Sequence, residues 1–538
     1  MTMDLSSDAS EFRRWCGLRL ANKKVSESKQ VLLIVSVLPL PYCLKLERLI
    51  AHSMQEKGYK IVFLTNRACY SKVKAYTTGF GDNTIIVLED YLSSKGLIRI
   101  YYQLRGLFSR PEGIISKVKA FKYRGANTGL HALASLSAQS NDGGLNASVR
   151  HVRRLVRLML RSALYTDAAI EIIKDVQPSL VLAGEKGFVG TCEIFYAALS
   201  ASVDYVQWCG CHEPNSIMLK RYNYRNSREH PFSLSEDTWR RILEDAPKAD
   251  RLKEQVFGQF EEGYSEGSWF KYKSLTHGLV RQGRQELFNK HRLDLSKKTA
   301  IIYSHILNDA NLFYGVDLFE AGYEEWLIET VRAAASNDLV NWVLKLHPAN
   351  VSRNAKSGYV GEFGELIALK NAFGSIPEFL RVVYPNESTS PFSFFKITDY
   401  GVTVRGTVGL ELPCFGVPVL TAGTGRYSKK GFTVDSDSRE EYLAMIRNIH
   451  QVKALSSREV ELAHLYAYMV FCVRPAKYDA MFSDEYLFPV GHERHRDVYF
   501  GDNSLSVLLK HPQMSSIIDF MSSRAEDFLN PFFSNVSA

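Results

Sequence analysis

Residues able to do chemistry concentrate between positions 397 and 435, ITDYGVTVRGTVGLELPCFGVPVLTAGTGRYSKKGFTVD. The β-branched run 402–404 reads as a buried strand. Arg405-Gly406-Thr407-Val408-Gly409 follows it, small and permissive at the backbone. Residues 410–412 read as a short helix stopped by Pro413, and 416–420 as a second strand. Gly423, Gly425, Arg426 and Tyr427 close the unit in a loop. A strand, a Gly-Thr turn and a helix N-terminus make an anion site, because unpaired N–H groups and the helix dipole both point at the turn. Arg405 and Arg426 can add charge-assisted bonds to a phosphate. Glu411, about one turn into the helix, can accept ribose hydroxyls or simply face solvent. The same pattern also fits an ordinary βαβ crossover whose glycines only relieve crowding.

A second stretch adds to this. Residues 339–346, LVNWVLKL, read as a strand that ends at His347-Pro348. A His-Pro at the C-terminal end of a strand faces the crevice where α/β sheets bind ligands. Pro348 fixes the chain direction, and the ring of His347 can present an N–H to phosphate or ribose oxygen. Taken together, the two stretches resemble the nucleotide-binding half of bacterial GT-B glycosyltransferases that build surface polysaccharide. Sialyltransferase-like and Kdo-transferase-like capsule enzymes belong to that group and, more distantly, teichoic-acid glycerophosphotransferases. There a His-Pro motif and a later Ser/Thr-rich or Gly-Thr turn hold the nucleotide phosphate; the matching residues here are His347, Pro348, Arg405, Gly406 and Thr407. The turn reads Gly-Thr where many members carry Ser-Ser or Ser-Thr. The resemblance implies a nucleotide-sugar donor, a CMP-sugar favoured, and a polysaccharide or lipid-linked oligosaccharide acceptor.

The opposite wall of such a cleft must move a proton. Glu185, Gly-flanked in GEKG after the strand-like run 179–183, is the first candidate, with Lys186 beside it to keep it ionised; His212 and Glu213 come second. They follow another strand, 205–208. Both loops belong at the C-terminal ends of parallel strands. Residues 218–239 carry Lys220 and Arg221 in a stretch that fits either an acceptor-gripping loop or a solvated insertion. His305, Asn308 and Asp309, after the strand 299–304, are further cleft-lining candidates. No metal is expected: Cys209, Cys211 and His212 have no second ligand pair at zinc spacing. No cofactor is expected either, the donor being a substrate.

The elements that must hold these groups form two series. Residues 31–38, 60–64 and 84–88 are strands around a helix at 43–57, a βαβ order without GxGxxG. Residues 299–304, 342–346, 382–384, 396–398, 402–404 and 418–421 supply the second series, followed by helices at 439–452 and 457–473. The expectation is an α/β chain of the GT-B type, two Rossmann-like domains facing across a cleft, with a helical insertion in the N-terminal half. Its divisions are a partly ordered 1–29, an acceptor domain 30–240 with a basic insertion 93–165, a helical bridge 241–296, a nucleotide-sugar domain 297–455, and C-terminal helices 456–538 crossing back.

With 538 residues, 46% hydrophobic and 23% charged, the chain reads as a soluble globular protein of at least two domains. A net charge of +8 permits an anionic partner but gives no sign of nucleic-acid binding. Eight scattered cysteines are no disulfide framework and fit a reducing cytoplasm. The acidic N-terminus does not resemble a signal peptide, and no apolar run approaches the ~20 residues that span a bilayer. The helix-like run 148–165 sets Arg150, Arg153, Arg154, Arg157 and Arg161 around an apolar face. It fits a packed helix with a solvated face, or a peripheral contact with an anionic membrane. Two further readings keep the fold. One is a CDP-glycerol-type glycerophosphotransferase, which Thr398-Asp399-Tyr400 favours although the Ser-Ser expected after it is missing. The other is a non-catalytic scaffold in a polysaccharide assembly complex.

Overall fold

The computed structural model describes residues 5–17, 30–78, 83–93, 97–108, 113–139, 149–213, 215–244, 249–265, 279–307, 311–478, 483–487, 495–499 and 505–531. In the N-terminal half, β1 (Val31–Val35), β2 (Lys60–Thr65), β3 (Thr84–Val87), β4 (Leu180–Ala183) and β5 (Asp204–Gly210) run parallel in the order 3-2-1-4-5. Their unbroken apolar runs are those of strands buried on both faces. Leu32, Ile34, Ile61 and Phe63 pack on one side with helix Pro41–Glu56, while Leu33, Val35, Val62 and Leu64 pack on the other with Val149–Val176. A sixth strand, β6 (Ser216–Tyr222), pairs antiparallel with β5. Between β3 and β4 lies the insertion, helices Leu97–Leu107, Ile114–Ala120, Thr128–Ala138 and Val149–Val176.

The second sheet is parallel throughout. β7 (Lys298–Tyr303), β8 (Val340–Lys345), β9 (Leu380–Val383), β10 (Tyr400–Thr403), β11 (Val419–Thr421) and β12 (Val434–Asp435) lie in the order 9-8-7-10-11-12. Counted from its own first strand this is again 3-2-1-4-5, so the molecule is two Rossmann-like domains. Helices Glu236–Glu244, Ala249–Ser265 and Arg284–His291 lie between them in the chain. After helix Ser457–Tyr468, started by a Ser456/Glu459 capping box, a π-turn (Met469–Val473) leads into β13 (Ala476–Lys477). β13 pairs with β6, so the chain returns to the first sheet.

Three local expectations need correction. Residues 396–398 are not a strand. They end the helix Pro391–Ile397, where Pro391 occupies the first turn and Thr398 donates its hydroxyl to Phe394 O at 2.7 Å. Pro413 does not stop the helix before it: Val408–Glu411 runs on into a 3₁₀ turn, Leu412–Phe415, whose first turn tolerates the proline. The Lys220–Arg221 segment is neither a loop nor a cleft wall but the buried strand β6. Lys220 Nζ meets Asp527 at 2.7 Å and Glu229 at 2.8 Å, and Arg221 meets Asp204 at 2.7 Å and the carbonyls of Phe520 and Met521. Both side chains fasten the C-terminal segment.

Candidate site at the two switch points

In a sheet of order 3-2-1-4-5, adjacent connections leave in opposite directions between the first and fourth strands, and ligands bind in the crevice opened there. The switch point of the first sheet lies between β1 and β4, and the loop after β4 is Gly184-Glu185-Lys186-Gly187. That of the second lies between β7 and β10, whose following residues are Ser304-His305 and Val404-Arg405-Gly406. The two face one another. A Cβ built on Gly187 would fall 1.8 Å from the Phe313 ring of the second domain, and Gly315 N donates to Arg228 O at 2.8 Å. The domains therefore meet at the edges where their switch points lie.

Phe313 belongs to a strap, residues 311–317, that leaves the loop after β7 and reaches into the first domain. His131 stacks on Phe313 with ring centroids 5.5 Å apart and bonds Gly187 O at 2.7 Å. The strap is tied back by Arg405, whose guanidinium donates to Tyr314 O and to Asp317. Lys119 from the insertion lies 3.8 Å from the same carboxylate. On its other side the strap packs against residues 423–425. Gly423 takes φ +120, and a Cβ there would sit 2.3 Å from Val316 O, so only glycine fits.

The turn after β10 is held from two sides, by His305 and by Tyr427. His305 is buried and stacks on Tyr323 at 4.3 Å. Its Nε2 lies 3.2 Å from Val404 N and 3.0 Å from Thr403 Oγ1. An amide can only donate, so Nε2 is the acceptor and the ring is neutral; burial also pushes its pKa well below the ordinary value, helped by His347 and Arg405. Tyr427, likewise buried, donates its hydroxyl to Gly406 O at 2.7 Å. Gly406 and Thr407 remain half-exposed at the tip. Glu411 does not face solvent or a ribose: it is 1% exposed and accepts from Tyr264 Oη at 2.5 Å. Burial pushes its carboxyl up to about 6. The helix after the turn has four residues, so its dipole is short.

His347 sits half-buried at the end of β8. Its Nδ1 accepts from Ala349 N at 3.1 Å, which in the neutral ring leaves the proton on Nε2. Pro348 precedes the helix Ala349–Ser357, and Ser304 Oγ joins the motif to the buried Glu365 by bonds of 3.0 and 3.1 Å. Arg426 is half-buried with its guanidinium 5.3 Å from the Phe232 ring. Asn308 and Asp309 lie outside the described residues.

Across from the turn, Glu185 is half-buried. Its Oε1 accepts from Lys186 N at 2.7 Å and Gly187 N at 2.8 Å. Burial raises its pKa above the usual carboxylate value, and the two N–H bonds oppose that. Lys186 is turned away into a cage of Phe195, Tyr222, Phe313 and Tyr314, with Nζ 4.6–5.8 Å from their centroids and 2.7 Å from Ser227 O. Burial pushes that ammonium down to about 7. His212 and Glu213 do not join Glu185. His212 is wholly buried against Phe471, with Cys211 Sγ 3.1 Å from Nδ1, and burial pushes it down to about 3. Glu213 pairs with Lys477 at 3.1 Å, in the seam where the chain returns.

The cleft residues missing from the sequence reading are His131, Lys119, His230 and the strap. Their signal is long-range: His230, for example, lies 4.8 Å from the Tyr314 ring and is held neutral by burial and by Arg426, Lys186 and Arg405.

Two Rossmann-like domains opposed at their switch points, with the C-terminus returning to the first, define the GT-B architecture. No protein-family model and no curated protein matches the chain. Among solved structures it is similar to two KpsC proteins of Thermosulfurimonas dismutans. One is a beta Kdo 2,4 transferase, 14% identical, covering 62% of this chain and 87% of that one at a TM-score of 0.35. The other is a beta Kdo 2,7 transferase, 13% identical, covering 64% and 88% at 0.33. A UDP-GlcNAc 2-epimerase from Neisseria meningitidis bound to UDP-GlcNAc is 12% identical over 81% and 95% of the two chains at 0.24. With scores this low, the fold assignment rests on strand order and register, and function on the residues themselves.

Proposed function

We propose that the protein is a GT-B glycosyltransferase that moves a sugar from a nucleotide-activated donor, a CMP-sugar favoured, to a growing surface polysaccharide or lipid-linked acceptor. The observation that carries this is the opposition of the two switch points, with His347, the Gly406–Thr407 tip and Arg426 on one side and Glu185 on the other. Arg426, the proton on His347 Nε2 and the backbone of the tip stabilise the leaving phosphate as charge develops on it, without a metal. Arg405 acts behind them, since its guanidinium is engaged by the strap.

Glu185 is the base on the acceptor hydroxyl. Its Oε1 is fixed by two backbone N–H groups, which orients the carboxylate and leaves Oε2 to accept the proton. Its raised pKa makes it a stronger base than a free carboxylate, so kcat rises with pH along an acid limb above the ordinary glutamate value.

Thermal shifts with CMP, CDP, UDP and GDP test the first half: a bound nucleotide at a hundred times Kd stabilises by about 2.7 kcal/mol, and no shift with any of them overturns the reading. Hydrolysis of the matching nucleotide sugar tests the second. Glu185→Gln keeps an acceptor for both N–H bonds yet takes no proton, so kcat falls by about 10²–10⁴ with the nucleotide shift intact. A fall of less than about tenfold removes Glu185 from the role.

A further inference from the structure

The positive charge of this chain is not spread over it. Residues 94–166 hold thirteen Lys and Arg against two acids, Glu112 and Asp142, a net of +11 where the whole chain has +8. That segment is the insertion between β3 and β4. Its helix Val149–Val176 buries Leu155, Met159 and Ala163 and turns Arg153, Arg157 and Arg161, spaced one turn apart, to solvent. Helix Leu97–Leu107 packs beside it, with Ile100 and Leu104 in the same core. Its exposed side mixes basic with apolar groups: beside Arg99 and Arg105, Ile98 is 74% exposed, Tyr101 54% and Tyr102 62%, the two rings edge to face at 5.8 Å. This helix contains no acidic residue.

We propose that these two helices form a docking surface for an anionic lipid bilayer. Charge alone would fit any polyanion, and a nucleic acid or an acidic polysaccharide could stack on the two tyrosines, but neither offers an apolar phase for Ile98, the most exposed of the three. A bilayer takes both parts. The arginines meet the headgroups, while Ile98 enters the acyl boundary and the tyrosines settle at the interface with their hydroxyls wet. No helix among the described residues is long and apolar enough to cross a membrane, so the contact lies on the surface. The cluster that seats the helices also contains Phe313 and Tyr314 of the strap, so the docking face and the cleft share one packed core. This surface stands independently of the reaction catalysed.

Co-sedimentation of the full chain with vesicles tests it. Wild type partitions onto phosphatidylcholine vesicles containing phosphatidylglycerol, not onto phosphatidylcholine alone, and salt weakens the binding. R153Q/R157Q/R161Q lowers the partition coefficient about a hundredfold, each basic group being worth about fivefold at an anionic surface. I98S/Y101S/Y102S lowers it at least about tenfold. All six positions are solvent-facing, so unchanged melting temperatures confirm that the variants fold. Equal recovery on both vesicles, or wild-type partitioning by the arginine variant, overturns the proposal. Wild-type partitioning by the apolar variant also overturns it, because the face then reads only charge.

Discussion

Arg405→Ala separates a residue that grips a ligand from one that holds the strap. Arg405 is 5% exposed and spans from the turn after β10 to Tyr314 O and Asp317. Removing one partner of a buried ion pair costs about 3–5 kcal/mol, because the other charge is left without compensation. Here Asp317 keeps Lys119 at 3.8 Å and is 14% exposed, so the low end applies, about 3 kcal/mol. Asp317→Asn is milder: its amide oxygen still accepts from the guanidinium, and replacing a charge-assisted bond by a neutral one loses about half its strength, roughly 1 kcal/mol. Urea unfolding followed by tryptophan fluorescence gives the order wild type, Asp317→Asn, Arg405→Ala. Hydrogen exchange at residues 311–317 accelerates in the same order. Had the guanidinium reached a phosphate instead, Arg405→Ala would weaken nucleotide affinity about ten- to a hundredfold with the unfolding midpoint unchanged. That result would refute the strap as its partner.

Other consequences are separable from this one. Gly409→Ala places a Cβ 1.9 Å from Tyr427 Oη, so the clamp on Gly406 O must shift; overpacking costs about 1–3 kcal/mol, and calorimetry shows nucleotide affinity falling with stability. His212→Asn lowers stability by about 1–3 kcal/mol and leaves the pH profile of nucleotide-sugar hydrolysis unchanged, because a ring held down near 3 stays neutral there. Asp527→Asn leaves Lys220 and Arg474, both 0% exposed, without their shared carboxylate and destabilises by about 3–5 kcal/mol in urea. Burial acts against the Asp527 carboxylate, yet those two cations hold it below the usual range. The stability it contributes is complete above the unfolded value near 3.9 and is lost as pH falls toward the folded one, so wild type, unlike the variant, weakens there on acidification.

Both parallel sheets were readable because their strands are uninterrupted β-branched and aliphatic runs, a pattern that carries its own period. β6 escaped that test. IMLKRY shows two cations in a row, and what permits their burial is Asp527, 307 positions later, and Asp204 on the neighbouring strand. Residues 396–398 failed for the opposite reason: FFKIT is apolar enough for either element, and Pro391 decides for the helix. At the site, Glu185 and His347 were located by their places after strands, a local signal. The cage around Lys186, which was expected only as a charge beside Glu185, was not legible, because two of its four rings, Phe313 and Tyr314, come from the other domain. Arg405 misled in the same way, as a cation beside a Gly-Thr turn gives no hint of a carboxylate at 317.

The closure of the first sheet by β13 and Asp527 also sets a clock on the ribosome. Lys220 is made more than 300 residues before its counter-ion. At about 5–20 residues per second, translation takes roughly 15–60 s to reach it. Until β13 is made, the outer edge of β6 has no strand beside it, and for the whole interval its buried cations have no carboxylate at 527. The second domain can finish its own sheet within this time, since β7–β12 need nothing beyond residue 435. The half that begins the chain is thus the half completed last, and a nascent chain stalled short of residue 476 displays an open β edge to any neighbour able to pair with it.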